Sequence, residues 1–167
     1  ALAYNDASRK IILRFKHSGD RTGLNLMVSW IVQAMPEMIA KADLILPVPL
    51  HYSRLIQRGF NQSVWLAAGL SRASKTKMLH HGVKRVRATP SQAGRSASGR
   101  RRNVQGAFAV SARAAERIQG KHILLVDDVF TTGATVNACA RVLKRSGAAS
   151  VEVATVLRVV RPADPTI

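Results

Sequence analysis

Two adjacent carboxylates, Asp127 and Asp128, follow four apolar residues and precede a run of hydroxyls around a glycine in "ILLVDDVFTTGAT", residues 123–135. Only nine acidic residues occur in the 167-residue chain, so this adjacency calls for a chemical reading. Paired carboxylates accept hydrogen bonds from vicinal hydroxyls or hold a hydrated magnesium ion, tasks a single carboxylate does less specifically. Thr131, Thr132, Gly133, Ala134 and Thr135 then lead into a helical pattern. Hydroxyls and backbone amides at the positive end of a helix make an anion site, and phosphate suits it. Pair and loop together describe a ligand with a diol at one end and a phosphate at the other, a ribose 5-phosphate. The nucleotide P-loop pattern and the glycine-rich dinucleotide turn are both absent. The same residues also suit a ligand-free arrangement in which Asp127 caps a turn and the threonines cap the helix.

A pair of this kind must stand just beyond the carboxyl end of a strand in an open parallel sheet, where ligands of such sheets bind. The flanking sequence predicts that arrangement. "KHILLVDDV" reads as a buried strand, "TTGATVNACARVLKRSG" as a loop and a helix closed by Gly147, and "SVEVATVLRVV" as a final strand. Strand, helix, strand in that order makes a βαβ unit and hence an α/β fold, an open, mainly parallel sheet flanked by helices. Upstream, Ile11, Ile12 and Phe15 predict a helix from Asn5 to Lys16, ended by Gly19. Residues 23–40 put Leu26, Met27, Trp30, Ile31, Ala34, Met35 and Met38 on one helical face, with a kink at Pro36. "DLILPVPL" is a short strand broken by Pro47 and Pro49, and "HYSRLIQRGFNQS" reads as a polar loop. Asn61 or Ser63 then caps a helix through "VWLAAGLSRA". "KMLHHGVKRVR" contains a strand, in which His80 and His81 would point to opposite faces and so not share a metal. "ATPSQAGRSASGRRRNVQG" is a long aperiodic loop, and a short helix is expected near Ala112 to Arg117.

The length fits one domain, residues 1–167. With 47% hydrophobic and 21% charged residues, and no apolar run near the roughly 20 residues that span a bilayer, a soluble protein without a membrane span is expected. The start of the chain carries neither a secretory pattern nor an initiator methionine, so a cytoplasmic protein, processed or a fragment, is the expectation. The single cysteine, Cys139, allows no internal disulfide or cysteine-based zinc site and reads as a small buried apolar residue. The net charge of +17 is concentrated. Between Asp43 and Glu116 there is no acid, while thirteen lysines and arginines fall there. A field of that sign attracts phosphates, whether of a nucleotide sugar, a pyrophosphate or a nucleic acid.

"VDDVFTTGAT" resembles the phosphoribosyl pyrophosphate (PRPP) signature of type I phosphoribosyltransferases. With "FKHSGD", "LPVPLHYSRLIQRGFNQ" and "RVRATPSQAGRSASGRRRNVQGAF", the chain is similar over nearly its whole length to the ComF family of that superfamily, associated with bacterial competence and DNA uptake. The four-cysteine zinc ribbon that many members carry at their N-terminus is absent from this sequence.

The resemblance implies that Asp127 and Asp128 hold the ribose hydroxyls and that Thr131, Thr132, Gly133, Ala134 and Thr135 wrap the 5-phosphate. It implies magnesium arriving with PRPP and no separate protein metal site. By similarity to the glutamine-dependent amidophosphoribosyltransferases, residues 47–62 would form the pyrophosphate loop, with Arg54 and Arg58 neutralising charge. Residues 87–103 would form the flexible hood loop, where Arg95 could close over the diphosphate. Transfer from PRPP passes through an oxocarbenium-like state that requires such charge and the exclusion of water. Two functions remain open: phosphoribosyl transfer to an unidentified acceptor, and a non-catalytic module that senses PRPP or binds single-stranded DNA, with competence-machinery proteins as further partners. Aromatics amount to 5% of residues and scarcely interleave with the basic run, so DNA binding would be mainly electrostatic.

Overall fold

The structure is a computed structural model in which residues 2–3, 15, 22–87 and 104–159 are described. Five strands form a parallel sheet: β1 (Leu2–Ala3), β2 (Leu44–Pro47), β3 (Lys77–Met78), β6 (His122–Phe130) and β7 (Ser150–Arg158), in the spatial order β1-β7-β6-β2-β3. A separate antiparallel pair joins β4 (Lys84–Arg85) to β5 (Phe108–Ala109). The helices are α1 (Leu24–Ala34), α2 (Pro36–Lys41), α3 (Tyr52–Arg58), α4 (Gln62–Ser74), α5 (Ala112–Ile118) and α6 (Ala134–Arg145). This is the expected α/β architecture. The Asn5 to Lys16 helix, apart from a buried helical Phe15, and most of the expected hood loop lie outside the described residues.

The unbroken apolar runs of β2 and β6 follow from burial on both faces of the sheet. Successive side chains alternate, so Leu44, Leu46, Ile123 and Leu125 pack with α6, while Ile45, Leu124 and Val126 pack with α1 and α4. Each fully buried side chain of this kind contributes about 1.5–3 kcal/mol. The register pairs Leu44 with Ile123 and Pro47 with Val126, and on the other side Asp127 with Thr155. Pro47 closes its strand and so withdraws no donor from the ladder's interior.

Four expectations change. The buried stripe of α1 is Leu24, Met27, Val28 and Ile31, at helical spacing, while Leu26 is 53% exposed and Ala34 lies outside it. The helix does break near Pro36, which opens α2. "HYSRLIQR" is the helix α3 rather than a loop, opened by His51, whose ring accepts from the Ser53 amide, and closed by Gly59 at φ 76°. Its apolar residues escaped the reading because they face outward: Tyr52, Leu55 and Ile56 are all exposed. "KMLHHGVKR" is two strands, β3 and β4, divided by a turn at His80 and His81. In that turn the two rings meet edge to face, 4.3 Å between centroids, so they do not point to opposite faces.

Helix α4 is seated by one close approach. A Cβ at the buried Gly69 would lie 2.5 Å from Val28 Cγ2 on α1. Valine is stiff in a helix, so the methyl cannot swing aside. Gly69→Ala gains up to about 1 kcal/mol of helix propensity and incurs overpacking of about 1–3 kcal/mol. Net destabilisation is expected in urea unfolding, with Val28→Ala in the same chain restoring part of the loss; a stabilised Gly69→Ala would show that the helices can separate freely.

Candidate functional site

Residues Asn61, Gln62 and Ser63 connect the two halves of the sheet's carboxyl edge. Asn61 caps α4 by accepting from the Ser63 amide at 3.1 Å, and its Nδ2 donates to the Val48 carbonyl at 3.0 Å. Val48 in turn donates its amide to the Val126 carbonyl at 2.8 Å. The first turn of α4 then reaches the acidic pair. Ser63 Oγ donates to Asp127 Oδ1 at 3.0 Å, and Gln62 Nε2 donates to Asp128 Oδ2 at 3.1 Å. The Asp128 amide also donates to Asp127 Oδ1, at 2.9 Å. Gln62, Ser63 and Asp128 are buried, and Asp127 is half-buried. Gln62 Oε1 is buried without a hydrogen-bond partner among the described residues.

The loop after β6 passes through Thr131 and Thr132, both half-buried, to Gly133 at φ 71°, which opens α6. A Cβ there would lie 2.8 Å from Phe130 Cζ and 3.0 Å from Asn137 Nδ2, so both the backbone conformation and the space require glycine. Thr132 Oγ1 accepts from the Ala134 amide at 3.4 Å. Ala134 is buried and Thr135 half-buried in the first turn of α6.

Arg54 and Arg58 sit one turn apart on α3, and Arg85 lies on β4, its guanidinium 5.4 Å from the centroid of the Phe108 ring. Burial, and then the charge of Arg58, pull Arg54 below the usual arginine range. Arg85 is lowered by burial and then by Arg54, while Cys139 and Asp127 act in the opposite direction. The charge of Arg58 thus bears on Arg54, that of Arg54 on Arg85, and that of Asp127 on Arg85 in the opposite sense. Arg95 lies outside the described residues. The sequence reading missed Gln62, Ser63 and Arg85. Gln62 and Ser63 are polar residues at the start of an apolar helix, a visible signal, but their partners are more than 60 residues away. Cys139 is fully buried, and burial followed by the nearby Asp127 charge pushes its thiol well up, which keeps it protonated and inert.

The architecture is that of the type I phosphoribosyltransferases. Over 81% of its length the chain matches 26% of the glutamine PRPP amidotransferase from B. subtilis complexed with ADP and GMP, with a TM-score of 0.54 and 20% identity, a likeness of fold alone. The phosphoribosyl transferase domain family matches residues 36–165, and the chain belongs to that family. Among its relatives, DNA utilization protein YhgH of Escherichia coli O157:H7 is 40% identical over 146 residues, 87% of this chain and 56% of that protein. Competence protein F of Haemophilus influenzae is 35% identical over 148 residues, 86% of this chain and 64% of that protein. The expected similarity to the ComF group is thus met, and the chain spans little more than half the length of YhgH. No helix among the described residues is long and apolar enough to cross a membrane.

The histidine pair supplies a pH test of the local geometry. Burial, and then the His81 charge, lower the pKa of His80. A histidine with a lowered folded-state pKa favours the fold while neutral, and that contribution is lost as pH falls from the unfolded pKa towards the folded one. His81→Ala removes one of the two causes and is expected to raise the His80 midpoint in an NMR titration of the ring protons, leaving it still below that of free imidazole. An unmoved midpoint would mean that the rings do not meet.

Proposed function

We propose that the chain binds PRPP with magnesium at the carboxyl end of β6 and serves in the handling of DNA during competence. The observation that carries the reading is the pair Asp127 and Asp128, held by Ser63 and Gln62 beside the loop of Thr131 to Thr135. The carboxylates would accept the ribose hydroxyls, and the loop amides and hydroxyls would take the 5-phosphate at the start of α6. Gln62 Oε1 adds support, since a buried acceptor without a partner costs about 1–3 kcal/mol and a ligand hydroxyl could satisfy it. Arg54, Arg58 and Arg85 would face the pyrophosphate, whose charge would relieve their mutual repulsion.

The donor set fits magnesium of the substrate-borne kind. That ion takes at most one or two carboxylates from a protein and completes its shell with phosphate oxygens and water, so it would arrive with PRPP, and Asp127 and Asp128 are the carboxylates it could meet there. When bound it would neutralise charge on the phosphates. The chain's own contribution to transfer would be to orient the ribose through the acidic pair, anchor the 5-phosphate, and oppose the charge that develops on the departing pyrophosphate.

Isothermal titration of PRPP with magnesium into the wild type and into Asp128→Asn tests the assignment. Losing a charged hydrogen-bond partner, about 1.5–3 kcal/mol, weakens binding roughly tenfold to a hundredfold. The Gln62 contact can persist to the asparagine oxygen, so the circular dichroism melt should be little changed. Full affinity in the variant would refute the ribose contact.

A second reading, a module binding single-stranded DNA, is favoured by the thirteen lysines and arginines that fall between Asp43 and Glu116 with no acid in that stretch, and by the name of the relative YhgH, a DNA utilization protein. If the contacts are to backbone phosphates, raising salt from about 50 to 200 mM should remove most of the affinity. Fluorescence anisotropy of a labelled oligonucleotide would measure this, and affinity that held steady would sink the electrostatic account.

A further inference from the structure

Between α3, the first turns of α4 and the segment from His80 to Arg85 lies a cleft of about 520 Å³, within the range of small-molecule sites. Its described lining includes none of the acidic pair and none of the loop from Thr131 to Thr135, although it borders the site described above and shares Asn61 and Arg85 with it. One wall is aromatic. Trp65 is fixed there, stacked on Phe60 with centroids 4.4 Å apart and planes 12° from parallel, and braced from its edge by Phe15 at 5.6 Å. Tyr52, 72% exposed on α3, and His80 and His81 line the same cleft. Lys84 and Arg85 add a cationic margin to the lining, and no carboxylate occurs among the described lining residues.

A purely apolar ligand would leave this margin unused, and a bare phosphate or pyrophosphate would leave the aromatic wall unused. A planar ring that carries a phosphate uses both: rings stack on aromatic faces in a sequence-tolerant way, and the cations meet the anion. We propose that the cleft bounded by Tyr52, Trp65 and His80 binds a nucleotide unit, its base on the aromatic wall and its phosphate at Lys84 and Arg85.

Two sources present that chemistry, a free mononucleotide and a nucleotide within a single strand. A second cleft of about 440 Å³ shares His80, His81 and Lys84 with the first and adds Arg113 and Arg117, again without a carboxylate among its described lining residues. A strand seated in the first cleft would therefore meet further cations for its next phosphates, whereas a mononucleotide would end at Lys84. The inference does not depend on PRPP binding at the acidic pair, and its test separates the two.

The chain has two tryptophans, so Trp30→Phe leaves Trp65 as the only one. In that background, quenching of Trp65 fluorescence is titrated with deoxythymidine monophosphate, with deoxythymidine, with inorganic phosphate, and with a thymidine oligomer of about twelve nucleotides. Saturable quenching by the mononucleotide or the oligomer is expected, weaker with the nucleoside and absent with phosphate. Tyr52→Ala and Lys84→Ala, both at exposed positions that leave the fold intact, should each weaken it about tenfold. The Asp127→Asn, Asp128→Asn double variant should leave it unchanged. Tighter binding of the oligomer, reduced by Arg113→Ala with Arg117→Ala, assigns the cleft to a single strand, and equal binding of both ligands assigns it to a free nucleotide. The proposal is overturned by quenching that survives both Tyr52→Ala and Lys84→Ala, by quenching lost only in the acidic double variant, or by none with either nucleotide ligand.

Discussion

Two carboxylates on consecutive residues repel each other and lose water on burial. Asp127 and Asp128 stand inside β6, before its last two residues rather than beyond its end as the sequence suggested, so their neighbours must accommodate them. The donors come from one place, the first turn of α4, where Ser63 serves Asp127 and Gln62 serves Asp128. Consecutive side chains on a strand diverge, so a single helix end can serve both only if it sits at the strand's tip and straddles it. The geometry is favourable for a further reason: a helix N-terminus carries partial positive charge and stabilises a nearby anion by about 0.3–1 kcal/mol, and more when partly buried.

That requirement propagates outward. For α4 to aim at the tip of β6 it must lie low against the sheet, and the missing side chain at Gly69 lets α1 hold it there through Val28. The segment between β2 and α4 is drawn into the same arrangement, because Asn61 bonds both the helix start and the carbonyl of Val48. Residues 48–61 are thereby tied to the acidic pair, and α3, within that segment, carries Arg54 and Arg58 on the same tether. On the far side of β6, Gly133 gives the sharp turn that presents Thr131 to Thr135 and starts α6. A ribose-phosphate ligand spanning these parts would meet a preassembled frame.

How much of this the sequence revealed depended on whether the signal was local. The unit from β6 through α6 to β7 was legible because a doubly buried strand, an acid pair, a glycine turn and an amphipathic helix follow one another without interruption. The start of α4 was legible from Asn61 for the same reason. Helix α3 was not, because its apolar residues Tyr52, Leu55 and Ile56 face outward and its arginines read as loop; their helical spacing and the closing Gly59 were the overlooked signals. The single strand read through "KMLHHGVKR" failed at Gly82, where a Cβ would collide with Leu46 and the chain turns instead. Gln62 and Ser63 were illegible as site residues, since only the fold brings them to partners more than 60 positions away.

The charge distribution joins these features. In a chain with net charge +17, like charges repel, yet Arg58 bears on Arg54 and Arg54 on Arg85, each disfavouring the charge of the next. Asp127 offsets part of that repulsion at Arg85, yet Asp127 is already engaged by Ser63 and by the Asp128 amide. In the proposed reading the acidic pair would take hydroxyls or a cation and the arginines an anion. A sugar bearing a phosphate and a pyrophosphate matches that polarity, whereas a neutral sugar or a simple carboxylate would satisfy only one side. The proposed function rests on this match between opposed halves of one site more than on either half alone.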